Sequence, residues 1–378
     1  MTSGLSANGG SGTDDSAGSR GRSGGRAGGS GGRGARIRRT LLAGLVAAAV
    51  VVPVSAAASP QVPAPAPAVF AGSAGPQERY TANLANLAES ARMAEGAGRT
   101  GRAAKLREMT TTGAQEAHFL TFDGRGKGRA VEVFGDLGTA DRVAVLVPGS
   151  DTTLDTYRRF RDGALSLHRR LSEQHPRSAV VAWLGYDTPG TVSTTVLTAD
   201  RADQAAAELG PFLTRLRGLT TADARISLLC HSYGSVVCAR TATGPGVTDM
   251  ALFGSPGTGA GSAAALPTRA QVWAGRGSDD WIGNVPHVRL GGVGFGTDPV
   301  DPAFGARPFA AGTGGHSDYL KPGTTSLDSL ARIVIGPVAP APSSPAPSSP
   351  APSSPAAGSP ASAAVSAPSL TGQEVPRV

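Results

Sequence analysis

Beyond Gln115 the apolar residues form short continuous runs, separated by longer stretches in which apolar positions recur three and four residues apart. Ala117-His118-Phe119-Leu120-Thr121-Phe122 and Ala130-Val131-Glu132-Val133-Phe134 flank an Asp123-Gly124 turn and predict a β-hairpin. His118 sits among apolar neighbours there and reads as a strand residue rather than a ligand. Val143-Ala144-Val145-Leu146-Val147 is apolar throughout, as a strand buried on both faces must be. The pattern then predicts a helix over 154–174, a strand over 179–183 and a helix over 198–217 that accommodates Pro211. Strands over 250–253 and 271–274 and a closing helix over 327–335 complete the series. Strands alternating with helices imply a mostly parallel sheet with helices on both faces, entered through an antiparallel hairpin.

Ahead of this region, Pro76 suits a first helical position, and Tyr80, Leu84, Leu87 and Ala91 fall on one stripe. Gly96 and Gly98 end that helix, and a second short one is expected over 102–109. The chain accordingly divides into residues 1–58, 59–75 (a Pro/Ala/Gly linker), 76–113 (helical), 114–336 (the α/β region) and 337–378. Residues 337–378 are Pro, Ala and Ser, with Pro-Ala-Pro-Ser-Ser repeated, which predicts an extended, disordered tail compatible with a cell-wall association.

The first 58 residues change the charge picture. Residues 1–35 are Gly, Ser and Arg with little to bury; Arg36-Ile37-Arg38-Arg39 then precedes the apolar stretch 41–52 and a small-residue exit at 54–58. That layout predicts a secretory signal peptide, with Arg38-Arg39 similar to a twin-arginine leader; a retained N-terminal anchor is the rival reading. Seven arginines and two aspartates give this segment +5 of the chain's formal +7, leaving +2 for the rest. The high pI is therefore poor support for a nucleic-acid partner, and no basic stripe with interleaved aromatics follows. The two cysteines, Cys230 and Cys238, would lie at a strand end and two turns into the next helix. Their Cα atoms are expected roughly 10 Å or more apart, too far for a disulfide, so both read as small buried hydrophobes.

The candidate chemistry begins where Ile226-Ser227-Leu228-Leu229-Cys230-His231 stops at Ser232. Gly234 follows two residues later, then a helix-compatible stretch; this strand–turn–helix layout lifts a serine hydroxyl above a sheet edge. A serine needs a base, and the base needs a third group to fix its tautomer. Gly275-Arg276-Gly277-Ser278-Asp279-Asp280 offers either aspartate just past a strand, and Gly314-Gly315-His316 offers a histidine on a late Gly-rich loop. Val147-Pro148-Gly149-Ser150 ends an earlier strand at the same edge, so the backbone N–H groups of Ser150 and Tyr233 are the expected oxyanion donors.

Other residues fit worse. His231 is expected to be structural, His287 to be a loop or strand residue, and His168 and His175 to face solvent. Asp249 precedes its strand at the wrong edge, and Asp298 and Asp301 precede prolines in turns. No His-x-x-x-His or Cys-x-x-Cys pair suggests a metal, and no Gly-x-Gly-x-x-Gly opens the first strand–helix turn, so neither a metal nor a cofactor is expected.

Five ordered motifs together resemble a family of α/β-hydrolase-like proteins of unknown function widespread in actinobacteria. They are Val147-Pro148-Gly149, Trp183-Leu184-Gly185-Tyr186-Asp187-Thr188-Pro189, His231-Ser232-Tyr233-Gly234-Ser235, Gly296-Thr297-Asp298-Pro299 and Gly315-His316-Ser317-Asp318-Tyr319. Cys230 departs from the glycine usual two residues before such a serine. The resemblance implies an α/β-hydrolase fold over 114–336, with Ser232 as nucleophile, His316 as base and Asp280, rather than Asp279, as acid. The segment 183–189 should form a loop near the site, with no chemical role evident for Asp187. The expected activity is that of a secreted serine hydrolase acting on a small-molecule or lipid-like ester, less readily an amide. The alternatives are an inactive hydrolase fold used as an extracellular binding module and a cell-wall structural protein. The family implies neither a particular substrate nor an oligomeric state.

Overall fold

In a computed structural model of the chain, residues 62–336 apart from Ser73 and Ala114 are described. The expected signal peptide and the expected Pro/Ala/Ser tail lie outside them. Helices α1 (Pro76–Gly96) and α2 (Thr100–Glu108) come first, followed by a small antiparallel pair, β1 (Thr111–Thr112) and β2 (Gln115–Glu116). An eight-stranded sheet then holds β3 (His118–Asp123), β4 (Arg129–Phe134), β5 (Arg142–Val147), β6 (Ser178–Leu184), β7 (Arg225–His231), β8 (Val247–Phe253), β9 (Gln271–Gly275) and β10 (Arg307–Pro308). Its order is β10-β9-β8-β7-β5-β6-β4-β3, parallel except that β4 runs against both of its neighbours.

Parallel strands buried on both faces explain the continuous apolar runs. Along β5, Val143, Val145 and Val147 join a core under α4 (Asp200–Arg217) and α5 (Tyr233–Arg240), with Leu209, Leu213, Val236 and Val237. Ala144 and Leu146 face the opposite core, under α3 (Tyr157–Gln174) and α6 (Thr325–Ile335), with Leu167, Leu171, Leu330 and Val334. Fully burying one such Leu or Val is worth about 1.5–3 kcal/mol. The strand order reverses about β5, whose C-terminal end lies beside that of β7. Open α/β sheets bind their ligands at such a switch point.

Several expectations need correction. Leu84 is only half-buried; the helix turns Asn83 inward instead, and its amide donates to the carbonyls of Phe119 (3.1 Å) and Leu120 (3.0 Å) on the edge strand. Unpaired carbonyls at a sheet edge outweigh one leucine there. His168 and His175 do not face solvent. His168 is half-buried on α3, where burial pushes its imidazole pKa down, and His175 lies 3.1 Å from Asp141. Asp249 is inside β8 rather than ahead of it, buried and bonded to Arg225 and to the Trp273 indole. Strand β10 has no counterpart in the apolar pattern, because it is two residues long, exposed and contains proline.

The largest correction concerns the cysteines. Cys230 and Cys238 form a disulfide, with Cα atoms 6.4 Å apart. The expected separation assumed a helix leading away from its strand. The turn at Ser232 instead folds α5 back across β7, so its second turn lies over the strand end.

Candidate active site

Ser232 connects β7 to α5 and has φ 53° and ψ −126°, one of only two non-glycine residues with positive φ among those described. Such a backbone costs about 1–3 kcal/mol and persists only where its surroundings impose it. Here they do. A Cβ on Gly234 would lie 2.6 Å from the carbonyl oxygen of Val147 and 2.7 Å from that of Pro148. A Cβ on Gly149 would lie 2.6 Å from Ser232 Cβ. Two glycines thus let the end of β5 close on the serine. The Ser235 hydroxyl donates to the Ser232 carbonyl from one turn along the helix (2.5 Å).

Ser232, His316 and Asp280 meet at this rim. The carboxylate of Asp280 accepts the Nδ1–H of His316 (2.8 Å), which leaves Nε2 unprotonated to accept the Ser232 hydroxyl (2.9 Å). Burial opposes ionisation of Asp280. Hydrogen bonds from His316, Tyr319 and the Ile282 N–H outweigh it and hold the carboxyl below the usual carboxylate range. Asp279 is exposed and takes no part in this chain of bonds.

The loops that carry Asp280 and His316 are joined. Tyr319 receives the Gly277 N–H (3.1 Å) on the hydroxyl that it donates to Asp280, and the Ser278 N–H donates to Gly312 O (3.0 Å). Burial, reinforced by the Asp280 carboxylate, pushes the Tyr319 phenol well up, so it stays a donor. His231 donates Nε2–H to the His316 carbonyl (2.8 Å), and burial pushes its imidazole down to about 3, keeping it neutral. The Trp281 ring packs on the His316 ring, with centroids 4.8 Å apart. Sequence reasoning missed Tyr319, Trp281 and Ser235 as supports, although Tyr319 lies in the quoted His316 motif.

Tyr233 follows the serine, and Ser150 follows Gly149, which closes on Ser232; among the described residues neither the Ser150 nor the Tyr233 backbone N–H donates a hydrogen bond to another group. The loop that carries Ser150 is braced from β6. Tyr186 donates to Pro148 O (2.7 Å), Thr188 donates to Thr152 O (2.8 Å), and Asp151 accepts the Thr191 N–H. Trp183 and Leu184 close β6 rather than joining the expected loop, residues 185–189 brace the rim, and Asp187 makes only a partly exposed pair with Arg129. Asp298 pairs with Arg276 and His287 lies near both Asp298 and Ser255, away from these bonds.

Residues 123–290 match a family model described as alpha/beta hydrolase. An uncharacterized protein of Mycobacterium tuberculosis is 31% identical over 256 residues, covering 56% of this chain and 37% of its own length. Another, from Mycobacterium bovis, is 34% identical over 135 residues, covering 33% of this chain and 50% of its own. The chain thus spans half or less of the length of these relatives. Among solved structures, a carboxylesterase from Mesorhizobium loti aligns at 16% identity and TM-score 0.39, covering 55% of this chain and 95% of that one. The 2,6-dihydroxy-pseudo-oxynicotine hydrolase aligns at 14% and 0.38, covering 68% and 82%. The match over residues 123–290, the similarity to the mycobacterial proteins and the sheet described above together give the chain an α/β-hydrolase fold.

Proposed function

We propose that the chain is a serine hydrolase that cleaves an ester through an acyl-enzyme on Ser232. The observation that carries this reading is the unbroken hydrogen-bond chain from the Ser232 hydroxyl through His316 to Asp280. Ser232 Oγ attacks the ester carbonyl while His316 Nε2 takes its proton, and Asp280 stabilises the imidazolium. The oxyanion that forms faces the free N–H groups of Ser150 and Tyr233; one such donor is worth about 3–4 kcal/mol. Collapse breaks the ester C–O bond, and the departing alcohol takes the proton from His316. Water then attacks the acyl carbon, gives its proton to His316, and the acid leaves as Ser232 recovers its hydrogen.

The test is hydrolysis of short acyl p-nitrophenyl esters by the wild type and Ser232→Ala. In such sites loss of the serine lowers turnover on the order of 10⁶-fold. A fluorophosphonate probe should label Ser232 stoichiometrically. Folded protein that neither labels nor hydrolyses would favour a binding module; activity retained in Ser232→Ala would refute the assignment. Export is part of the proposal. The Cys230–Cys238 disulfide supports it, since disulfides persist in oxidising compartments. Recovery of culture-medium protein with both thiols blocked to alkylation checks this, and reduced protein confined to the cytosol opposes it.

A further inference from the structure

Of eight large apolar side chains exposed among the described residues, seven lie on two segments beside Ser232. Val192 (83% exposed) and Leu197 stand on the loop after β6. Trp281, Val285, Val288, Leu290 (82% exposed) and Val293 stand on the stretch after β9. Scattered exposed apolar residues are ordinary; a concentration of them is not.

These segments are continuous with the site. The Gly294 N–H donates to Leu197 O (3.0 Å), joining one to the other. Tyr233, next to the serine, donates its hydroxyl to Thr198 O (2.8 Å) and meets the Phe295 ring edge-on at 5.8 Å. Trp281 packs directly on His316. The face also carries almost no charge. Residues 188–199 include no charged side chain, and over 281–297 the only formal charge is Arg289, which donates to Gly259 O.

We propose that this face docks on a lipid assembly, and that the ester reaching Ser232 is an acyl ester presented at the lipid–water boundary. The second clause rests on the hydrolase reading; the first does not. A protein covering the face permanently would close the approach to Ser232 and His316, whereas a lipid surface brings the carbonyl with it. Uncharged aliphatic tips with a tryptophan at their edge are the composition that enters a headgroup layer.

The experiment is co-sedimentation of the full Ser232→Ala chain with phosphatidylcholine vesicles, beside the same chain also bearing Val288→Ser, Leu290→Ser and Val293→Ser. Both carry the apolar stretch 41–52, so their difference reads the face alone. We expect the triple substitution to weaken vesicle partition by about tenfold or more, with circular dichroism unchanged because all three side chains are exposed. A blue shift of emission with lipid, lost in Trp281→Phe, should accompany binding. Equal partition of the two chains overturns the proposal, as does no partition by either. Self-association without lipid that the triple substitution abolishes also overturns it, assigning the face to a second copy. Vesicle binding by a chain whose wild type hydrolyses nothing would leave the docking face standing and remove the hydrolase reading; esterase activity without binding would do the reverse.

Discussion

Removing the Cys230–Cys238 crosslink should cost both stability and reactivity. The bond closes a loop of sequence separation 8. By the chain-entropy argument, opening a loop this short frees the unfolded state by about 2.5 kcal/mol. For a domain of this size about 1 kcal/mol corresponds to some 2–4 °C, so the midpoint should fall by about 5–10 °C. That loss is comparable to the about 1–3 kcal/mol held in the positive-φ backbone of Ser232, which lies between the bonded residues. With the bond gone, the turn can relax toward an unstrained conformer, and labelling by a fluorophosphonate should slow by about tenfold, near 1.4 kcal/mol. The assay is differential scanning fluorimetry and labelling kinetics on wild type, oxidised and reduced, beside Cys230→Ala/Cys238→Ala. The reduced wild type separates the crosslink from the loss of two buried sulfur atoms. A midpoint that is the same in oxidised and reduced protein would refute the reasoning.

Asp280→Asn leaves the fold but withdraws the negative charge behind the imidazole, so turnover should drop by about 10⁴-fold with little change in KM; a loss confined to KM would argue against its orienting role. His231 is held near 3 in the folded chain, against 6.5 unfolded. Its contribution to stability is therefore complete above about pH 6.5 and lost as pH falls toward 3, roughly 5 kcal/mol over that window. Urea midpoints should decline through it in the wild type and less steeply in His231→Gln. Glu132 is fully buried against Arg161 (2.7 Å), so Glu132→Ala strands a guanidinium and should cost about 3–5 kcal/mol in urea unfolding; a cost below 1 kcal/mol would mean that water reaches Arg161.

The elements of the sheet were readable because burial on both sides writes itself into the sequence as unbroken apolar runs, as in β5 and β7. Ser232, His316 and the Asp279–Asp280 pair could be singled out because their order, and their places after strands and before the last helix, are properties of the chain itself; the choice of Asp280 came from the family resemblance. What escaped was set by contacts between distant segments. Asn83 answers carbonyls on β3 that lie 36 and 37 residues away. Tyr319 and Trp281 pack across loops that have no period to reveal them. The disulfide escaped because distance had been reckoned along a helix, whereas the elbow reverses its direction. The uncharged stretches 188–199 and 281–297 were visible as composition, but only the fold makes them neighbours.

The bond from His231 to the carbonyl of residue 316 has a mechanical meaning. The loops carrying Asp280 and His316 are already tied through Tyr319, so the separation left to be set is the gap between them and the Ser232 hydroxyl. The side chain that spans this gap belongs to the residue adjoining the serine, which makes His231 a spacer of fixed length. On the proposed hydrolase reading, an alteration there changes how often the proton can cross rather than how firmly a molecule is held, and evolution could adjust the speed of that chemistry without touching the surface that meets a substrate.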